Sequence, residues 1–163
     1  DYKGLDILLH SLSILHLQGY PIKLIVAGEF YIDSKPYIDL VKNLGIENQV
    51  IWKTDFIPDK MISLYFCASD AVILPYKAAT QSGVTQIAYY YHTPMIATNV
   101  GGLPSLVPDN KAGLVAEPNP GSIAGKIREY FEKGEGHFMP GLLEEKKKLS
   151  WAKMVESIIN VTH

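Results

Sequence analysis

Apolar residues recur along the chain in two patterns that alternate with each other. In one pattern they fall three or four positions apart, which is the spacing of an amphipathic helix. A set of five leucines near the start shows this spacing: Leu5, Leu8, Leu9, Leu12 and Leu15. In the other pattern, short continuous apolar runs end at Gly or Pro, which predicts buried strands.

The alternation of these patterns predicts the order of the elements. We predict helices over residues 5–18, 35–44, 58–66, 83–91, 120–133, 141–149 and 151–161. We predict strands over residues 22–27, 49–52, 70–74, 94–98 and 112–116. Strands that alternate with helices form a parallel sheet covered on both faces, so we expect one α/β domain over residues 1–163.

The composition narrows the class of protein. A net charge of −2 is unlike the basic surface of a nucleic-acid-binding protein, so we expect no nucleic-acid partner. Arg128 is the one arginine, which excludes an arginine-rich phosphate clamp within this sequence. Cys67 is the one cysteine, which excludes an internal disulfide and fits a cytoplasmic protein. No apolar run approaches the roughly 18 residues of a membrane span.

Ligands of open α/β sheets bind beyond the carboxyl ends of the strands, so four loops are candidates for a site. They are residues 28–33, 54–58, 75–83 and 98–104. The residues within these loops differ in how strongly their chemistry indicates ligand binding.

The start of the helix predicted over residues 83–91 is the strongest candidate for an anion site. The first backbone N–H groups of a helix lack partners, and the helix dipole favours an anion there. Gly83 permits the close approach of a phosphate, and Ser82 can donate its hydroxyl or cap the helix. A plain N-cap and turn is the alternative.

Weaker candidates lie in the other loops and at the start of the chain. Gly101 and Gly102 follow a predicted strand, where their amides could face a diphosphate or sugar, or form a turn with positive φ. Lys3 could reach a phosphate and Asp55 a base or ribose, although an exposed, solvated charge is the more usual explanation of each. Gly28 ends the first predicted strand. No His lies at metal-ligand spacing from a Cys or carboxylate, so we predict no metal and no cofactor.

The order of several segments resembles the C-terminal domain of the family 4 glycosyltransferases, which are retaining, nucleotide-sugar-dependent enzymes of the GT-B fold. The segments are residues 3–6 (KGLD), 24–28 (LIVAG), 68–75 (ASDAVILP), 93–104 (TPMIATNVGGLP), 113–115 (GLV) and 150–151 (SW). Each segment is short, but their shared order and spacing make the set specific. Together they extend over nearly the whole chain.

The resemblance implies a Rossmann-like domain that binds the donor nucleotide-sugar and faces an acceptor-binding N-terminal domain, which is missing from this sequence. It implies that Lys3 contacts the donor diphosphate, with an Arg that would precede Asp1. It places phosphate-binding amides on Gln81, Ser82, Gly83 and Val84. The implied whole protein acts in the cytoplasm on a glycan or lipid-linked acceptor. Its missing domain would carry any peripheral membrane association, and we expect the present chain alone to be inactive.

Two departures from the family pattern bear on this expectation. The family carries a pair of Glu near the donor sugar and the ribose, and those places hold Ala79 and Ile87 here. Gln81 or Gln86 could substitute for them. The family's domain also begins with a central strand just before the Lys-Gly pair, which this sequence lacks. We therefore expect a sheet with two unpaired edges, unless another segment fills the gap.

Two alternatives stay open at this point. A nucleotide-sugar epimerase on the same fold would need acid and base side chains near the sugar, and the candidate loops are poor in them. A degenerate, non-catalytic Rossmann scaffold is favoured by the absence of the Glu pair. Binding of a nucleotide by the intact domain would argue against the scaffold.

Overall fold

A computed structural model describes residues 2–148. Its helices are α1 (Leu5–Leu17), α2 (Lys35–Asn43), α3 (Asp59–Cys67), α4 (Gly83–Tyr91), α5 (Leu103–Leu106), α6 (Pro120–Lys133) and α7 (Glu135–Lys148). Its strands are β1 (Leu24–Ala27), β2 (Val50–Lys53), β3 (Val72–Leu74), β4 (Met95–Thr98) and β5 (Gly113–Ala116). A one-turn 3-10 helix, Glu47–Gln49, precedes β2.

The strands pair in parallel and form two sheets. β1 lies beside β2, with Leu24 opposite Val50. β4 lies between β3 and β5, so that Met95 is opposite both Val72 and Gly113. The predicted α/β class with parallel strands and flanking helices is confirmed. Within residues 2–148 no strand pairs with the second edge of β1 or of β3.

Helix α1 contributes to both parts of the core. Leu8 and Leu15 pack into the larger core around β3, β4 and β5. Leu9 and Leu12 pack into the smaller core beside β1 and β2. All four leucines are buried, and α1 also packs along α6. Because one helix buries apolar side chains in both cores, it ties the two sheets together.

The ends of α6 follow local signals in the sequence. The Asn119 side chain caps the helix by accepting a hydrogen bond from the Ser122 N–H at 2.9 Å, and Gly134 follows the last turn. The prediction over residues 120–133 therefore matches this helix. The short helix α5 forms in a segment that the pattern assigns to a loop. The helix predicted over residues 151–161 lies outside the described residues.

The predicted start of α7 is wrong. The pattern predicts a helix over residues 141–149, whereas α7 begins at Glu135. Phe138 is fully buried and stacks on Tyr130, with 5.4 Å between the ring centroids. This packing outweighs the poor helix propensity of Pro140, which lies inside α7.

Candidate functional site

The loop between β3 and α4 ends in a helix start whose amides are unsatisfied. Ser82 is the N-cap residue of α4 and has extended backbone angles (φ −144°, ψ 117°). Its hydroxyl caps no amide, and its Oγ lies 3.3 Å from Tyr76 Oη instead. Within residues 2–148 no acceptor takes the backbone N–H groups of residues 81–84. Ser82 is therefore an N-cap without a side-chain cap, and these N–H groups are available to an anion. An anion site here stays a prediction, with the plain N-cap and turn as its alternative.

Buried hydrogen bonds fix the shape of this loop. The Thr98 hydroxyl donates to the carbonyl of Tyr76 at 2.6 Å and lies 3.3 Å from that of Leu74. The Thr85 hydroxyl donates to the carbonyl of Ser82 at 2.6 Å. Thr98, Thr85 and Ser82 are all buried. Since a buried hydroxyl without a partner is costly, these bonds favour one conformation of the loop.

The glycine pair after β4 holds the same loop from the other side. The Gly102 N–H donates to the carbonyl of Ala79 at 3.1 Å. Gly101 has φ +51°, and a Cβ there would lie 1.7 Å from the Ala79 carbonyl oxygen. A Cβ at Gly102 would lie 2.3 Å from the carbonyl oxygen of Thr80. The geometry therefore favours the turn alternative, with the Gly102 amide bound to the loop. Proximity of the pair to a donor sugar stays a prediction.

An open cavity of about 660 Å³ lies between the loop, the glycine pair and the start of the chain. This volume is within the range of small-molecule sites. The lining residues are Tyr2, Lys77, Ala78, Ala79, Thr80, Gln81, Val100 and Gly101. Two predicted site residues, Gln81 and Gly101, are among them. No carboxylate lines the cavity in the described part of the chain, since Ala79 occupies a place where the family has Glu.

Lys77 is a residue of this cavity that the sequence analysis missed. Its Nζ lies 2.8 Å from Asp6 Oδ2, and each side chain is 42% exposed. Burial acts to raise the pKa of Asp6, but the hydrogen bond and charge of Lys77 outweigh it and hold this pKa below its ordinary value. The second carboxylate oxygen, Asp6 Oδ1, is buried without a hydrogen-bond partner. Lys77 is the one charged residue of the candidate loop over 75–83, and that feature could have singled it out.

The start of the chain lies against the end of β3. The carbonyl of Tyr2 accepts a hydrogen bond from the Lys77 N–H at 2.7 Å. Gly4 has φ +66°, and a Cβ there would lie 1.9 Å from the Pro75 carbonyl oxygen. Lys3, between these two residues, is exposed and does not line the cavity, so its role in phosphate binding stays a prediction.

The remaining predicted residues lie elsewhere. Gly28 ends β1 with φ +117°, and its N–H donates to the carbonyl of Lys53 at 2.9 Å. Asp55 is exposed on the loop after β2. Gln86 and Ile87 line a second groove of about 320 Å³ between α3 and α4. None of these residues lines the larger cavity, so a contact between any of them and the donor stays a prediction.

Two structural features are absent from residues 2–148. No helix there is both long and apolar enough to cross a bilayer. No group of three or more His, Cys, Asp or Glu side chains there is arranged to hold a metal ion.

Comparison with known proteins gives related sequences and related structures. A D-inositol 3-phosphate glycosyltransferase from Acidothermus cellulolyticus is 27% identical over 124 residues, which is 75% of this chain and 28% of that protein. An uncharacterized glycosyltransferase from Methanocaldococcus jannaschii is 26% identical over 164 residues, covering 98% of this chain and 41% of that protein. The structure of Anabaena HepE in complex with UDP-glucose superimposes with a TM-score of 0.81 at 21% identity, covering 99% of this chain and 45% of HepE.

The chain spans less than half the length of each of these three proteins. The structural likeness to HepE supports the fold. A family model described as "Glycosyl transferases group 1" matches residues 1–149, which is most of the sequence. The chain therefore belongs to the group 1 glycosyl transferases.

Proposed function

We propose that this chain is the donor-binding half of a retaining glycosyltransferase. The observation that carries the proposal is the start of α4, where the four backbone N–H groups of residues 81–84 have no acceptor within the described residues. A cavity lined by Gln81 adjoins this helix start. In a chain of this family, such a helix start suits the diphosphate of a nucleotide-sugar.

The proposed chemistry is cleavage of the bond between the sugar and the diphosphate, with transfer of the sugar to an acceptor hydroxyl. Negative charge develops on the diphosphate as this bond breaks. The N–H groups of residues 81–84 and the ammonium of Lys3 would stabilise that charge more in the transition state than in the ground state. Because these groups supply the stabilisation, we expect donor binding by this chain, and sugar transfer by the proposed two-domain protein, to persist when divalent metals are chelated with EDTA.

The first donor to test is a uridine diphosphate sugar. HepE structures contain UDP, UDP with glucose, and UDP-glucose. Their likeness to this chain makes uridine the leading base in our proposal. Gly28 and Asp55, beyond the ends of β1 and β2, are the residues we assign to the vicinity of the nucleoside. We also propose that Gln86 substitutes for one of the two Glu residues that the family carries near the donor sugar and the ribose.

The acceptor side is assigned to a different domain. We propose that a second, N-terminal domain holds a glycan or lipid-linked acceptor, that it mediates any peripheral membrane contact, and that the whole protein is cytoplasmic. Closure of two domains over the donor would exclude water. The present chain is then expected to bind a donor without transferring its sugar.

The epimerase alternative has no support from the cavity, whose described lining contains neither a carboxylate nor an imidazole for acid–base chemistry. The scaffold alternative is tested directly by ligand binding. We would record the melting temperature of the chain with UDP, GDP, ADP and their sugar derivatives. A ligand at about 100 times its dissociation constant adds about 2.7 kcal/mol to the free energy of unfolding. A shift with the diphosphates of one base supports the proposal, and no shift with any of them favours the scaffold.

A further inference from the structure

Lys77 gives the larger cavity its charged lining. Of the cavity residues in the described chain, Lys77 is the one with a charged side chain, and no acidic residue lines the same space. A lysine at the edge of a cavity without lining carboxylates suits an anionic ligand once its ammonium leaves Asp6. The lysine is not assigned by the resemblance, which places Lys3 and a preceding Arg at the diphosphate.

The backbone of Lys77 is fixed while its ammonium is free to change partners. Its N–H donates to the Tyr2 carbonyl at 2.7 Å, which anchors the main chain at the edge of the cavity. Its Nζ pairs with Asp6 across 2.8 Å, with both side chains 42% exposed. Ion pairs with this exposure contribute little to stability, so a ligand with greater charge can displace the carboxylate. A diphosphate offers more charge and several strong acceptor oxygens.

Asp6 has stabilising interactions besides its ion pair with Lys77. It lies in the first turn of α1, where the helix dipole favours a carboxylate. Backbone N–H groups of the same turn also hold its pKa down, alongside Lys77. The carboxylate therefore keeps these weaker stabilising interactions when the ammonium leaves.

We propose that Lys77 is a ligand of the donor diphosphate, and that Asp6 holds its ammonium beside the cavity until the donor binds. This inference rests on the proposed function, because it names a further binding residue of the same site. In the unliganded chain Asp6 competes for the ammonium, and in the complex the diphosphate takes it.

The test compares the affinity of three variants of the full chain for UDP and for uridine by titration calorimetry. Lys77→Met keeps most of the unbranched apolar side chain and the anchoring N–H but removes the charge. We expect it to weaken UDP binding about tenfold and to leave uridine binding unchanged, because a charged hydrogen bond to phosphate is lost. Lys42→Met is the matched control, since Lys42 is exposed on α2 and does not line the cavity. It should bind UDP as the unmodified chain does.

Asp6→Asn separates a binding role for Lys77 from a structural role of the ion pair. If the ammonium is shared between Asp6 and the donor, this change removes the competitor, and UDP binds two- to fivefold more tightly. If the pair merely holds the loop in shape, Asp6→Asn weakens UDP binding as Lys77→Met does, and the inference is wrong. Equal UDP affinity of Lys77→Met and Lys42→Met would also overturn it while leaving the proposed function standing. Failure of the unmodified chain to bind UDP or any other nucleoside diphosphate would contradict the proposed function, and this inference with it.

Discussion

Substituting proline for Gly83 removes one predicted phosphate ligand without removing a hydrogen bond of the fold. Gly83 is the first residue of α4, a position that tolerates proline because its N–H has no partner in the helix. Ser82 before it has the extended backbone that a residue preceding proline requires. A Cβ at Gly83 would meet no atom within 4 Å. We therefore expect the variant to fold.

The expected loss of affinity follows from the single missing N–H. A hydrogen bond to a charged group contributes about 1.5–3 kcal/mol, so Gly83→Pro should weaken UDP binding about 10- to 150-fold. Stability should change in the opposite direction or little, because proline restricts the unfolded chain by about 0.4–1 kcal/mol. Gly83→Ala is the matched control, since alanine also adds a Cβ at this position but keeps the N–H.

The assay is titration of both variants with UDP and with uridine, after urea unfolding shows that both are folded. The account predicts that Gly83→Pro loses UDP affinity relative to Gly83→Ala, while uridine binds the two alike. Equal UDP affinity of the two variants would refute the claim that this amide binds the diphosphate. A loss of uridine affinity as large as the loss of UDP affinity would indicate a distorted loop instead.

Three further predictions concern the scaffold of the site and its stability. Gly101→Ala should lower the free energy of unfolding by about 2–4 kcal/mol, because it combines a positive φ, a backbone collision and a lost hydrogen bond. Gly45→Ala is the control: Gly45 has φ +66° and a Cβ there would meet no atom within 4 Å, so it should lose about 1–2 kcal/mol in urea unfolding. Equal losses would contradict the role of the collision. Hydrogen bonds from two lysines lower the pKa of Glu129 from 4.5, so its stabilising effect is present above that pH and lost as the pH falls through the lowered value. The difference in urea midpoint between Glu129→Gln and the unmodified chain should therefore vanish at low pH. Glu132 is exposed, so Glu132→Gln should change the midpoint little at any pH. A pH-independent difference for Glu129→Gln would contradict stabilisation by the ionised carboxylate. Tyr130→Phe leaves a backbone carbonyl without its buried donor, so it should lower the free energy of unfolding, measured in urea, by about 1–2 kcal/mol. An unchanged urea midpoint would contradict this prediction.

Local signals in the sequence account for the parts of the fold that could be predicted. The bounds of α6 are set by an Asn cap, a proline in the first turn and a glycine after the last, and all three can be recognised in the sequence. The start of α7 could not be placed in this way. It depends on the burial of Phe138 against Tyr130, a contact with another helix that overrides the local preference of Gly and Pro.

In the candidate site, too, the local features could be predicted and the contacts between distant residues could not. The free amides of residues 81–84 follow from a helix that starts after a buried strand, which is a local pattern. The partner of Lys77 is Asp6, 71 positions away, and no spacing rule relates the two. The Gly102 amide binds the carbonyl of Ala79. This contact depends on how two loops meet, so the sequence left both a turn and a phosphate ligand open.

Amide chemical shifts of the chain, recorded by NMR during titration with UDP-glucose, test the central claim most directly. The account predicts that the largest shifts fall on the N–H groups of residues 81–84, and that they saturate with UDP as well. The backbone N–H of Lys77 should move with them, since its residue lines the same cavity. Saturable shifts confined to the groove between α3 and α4, or no saturable shifts with any nucleoside diphosphate, would contradict a donor site at the start of α4.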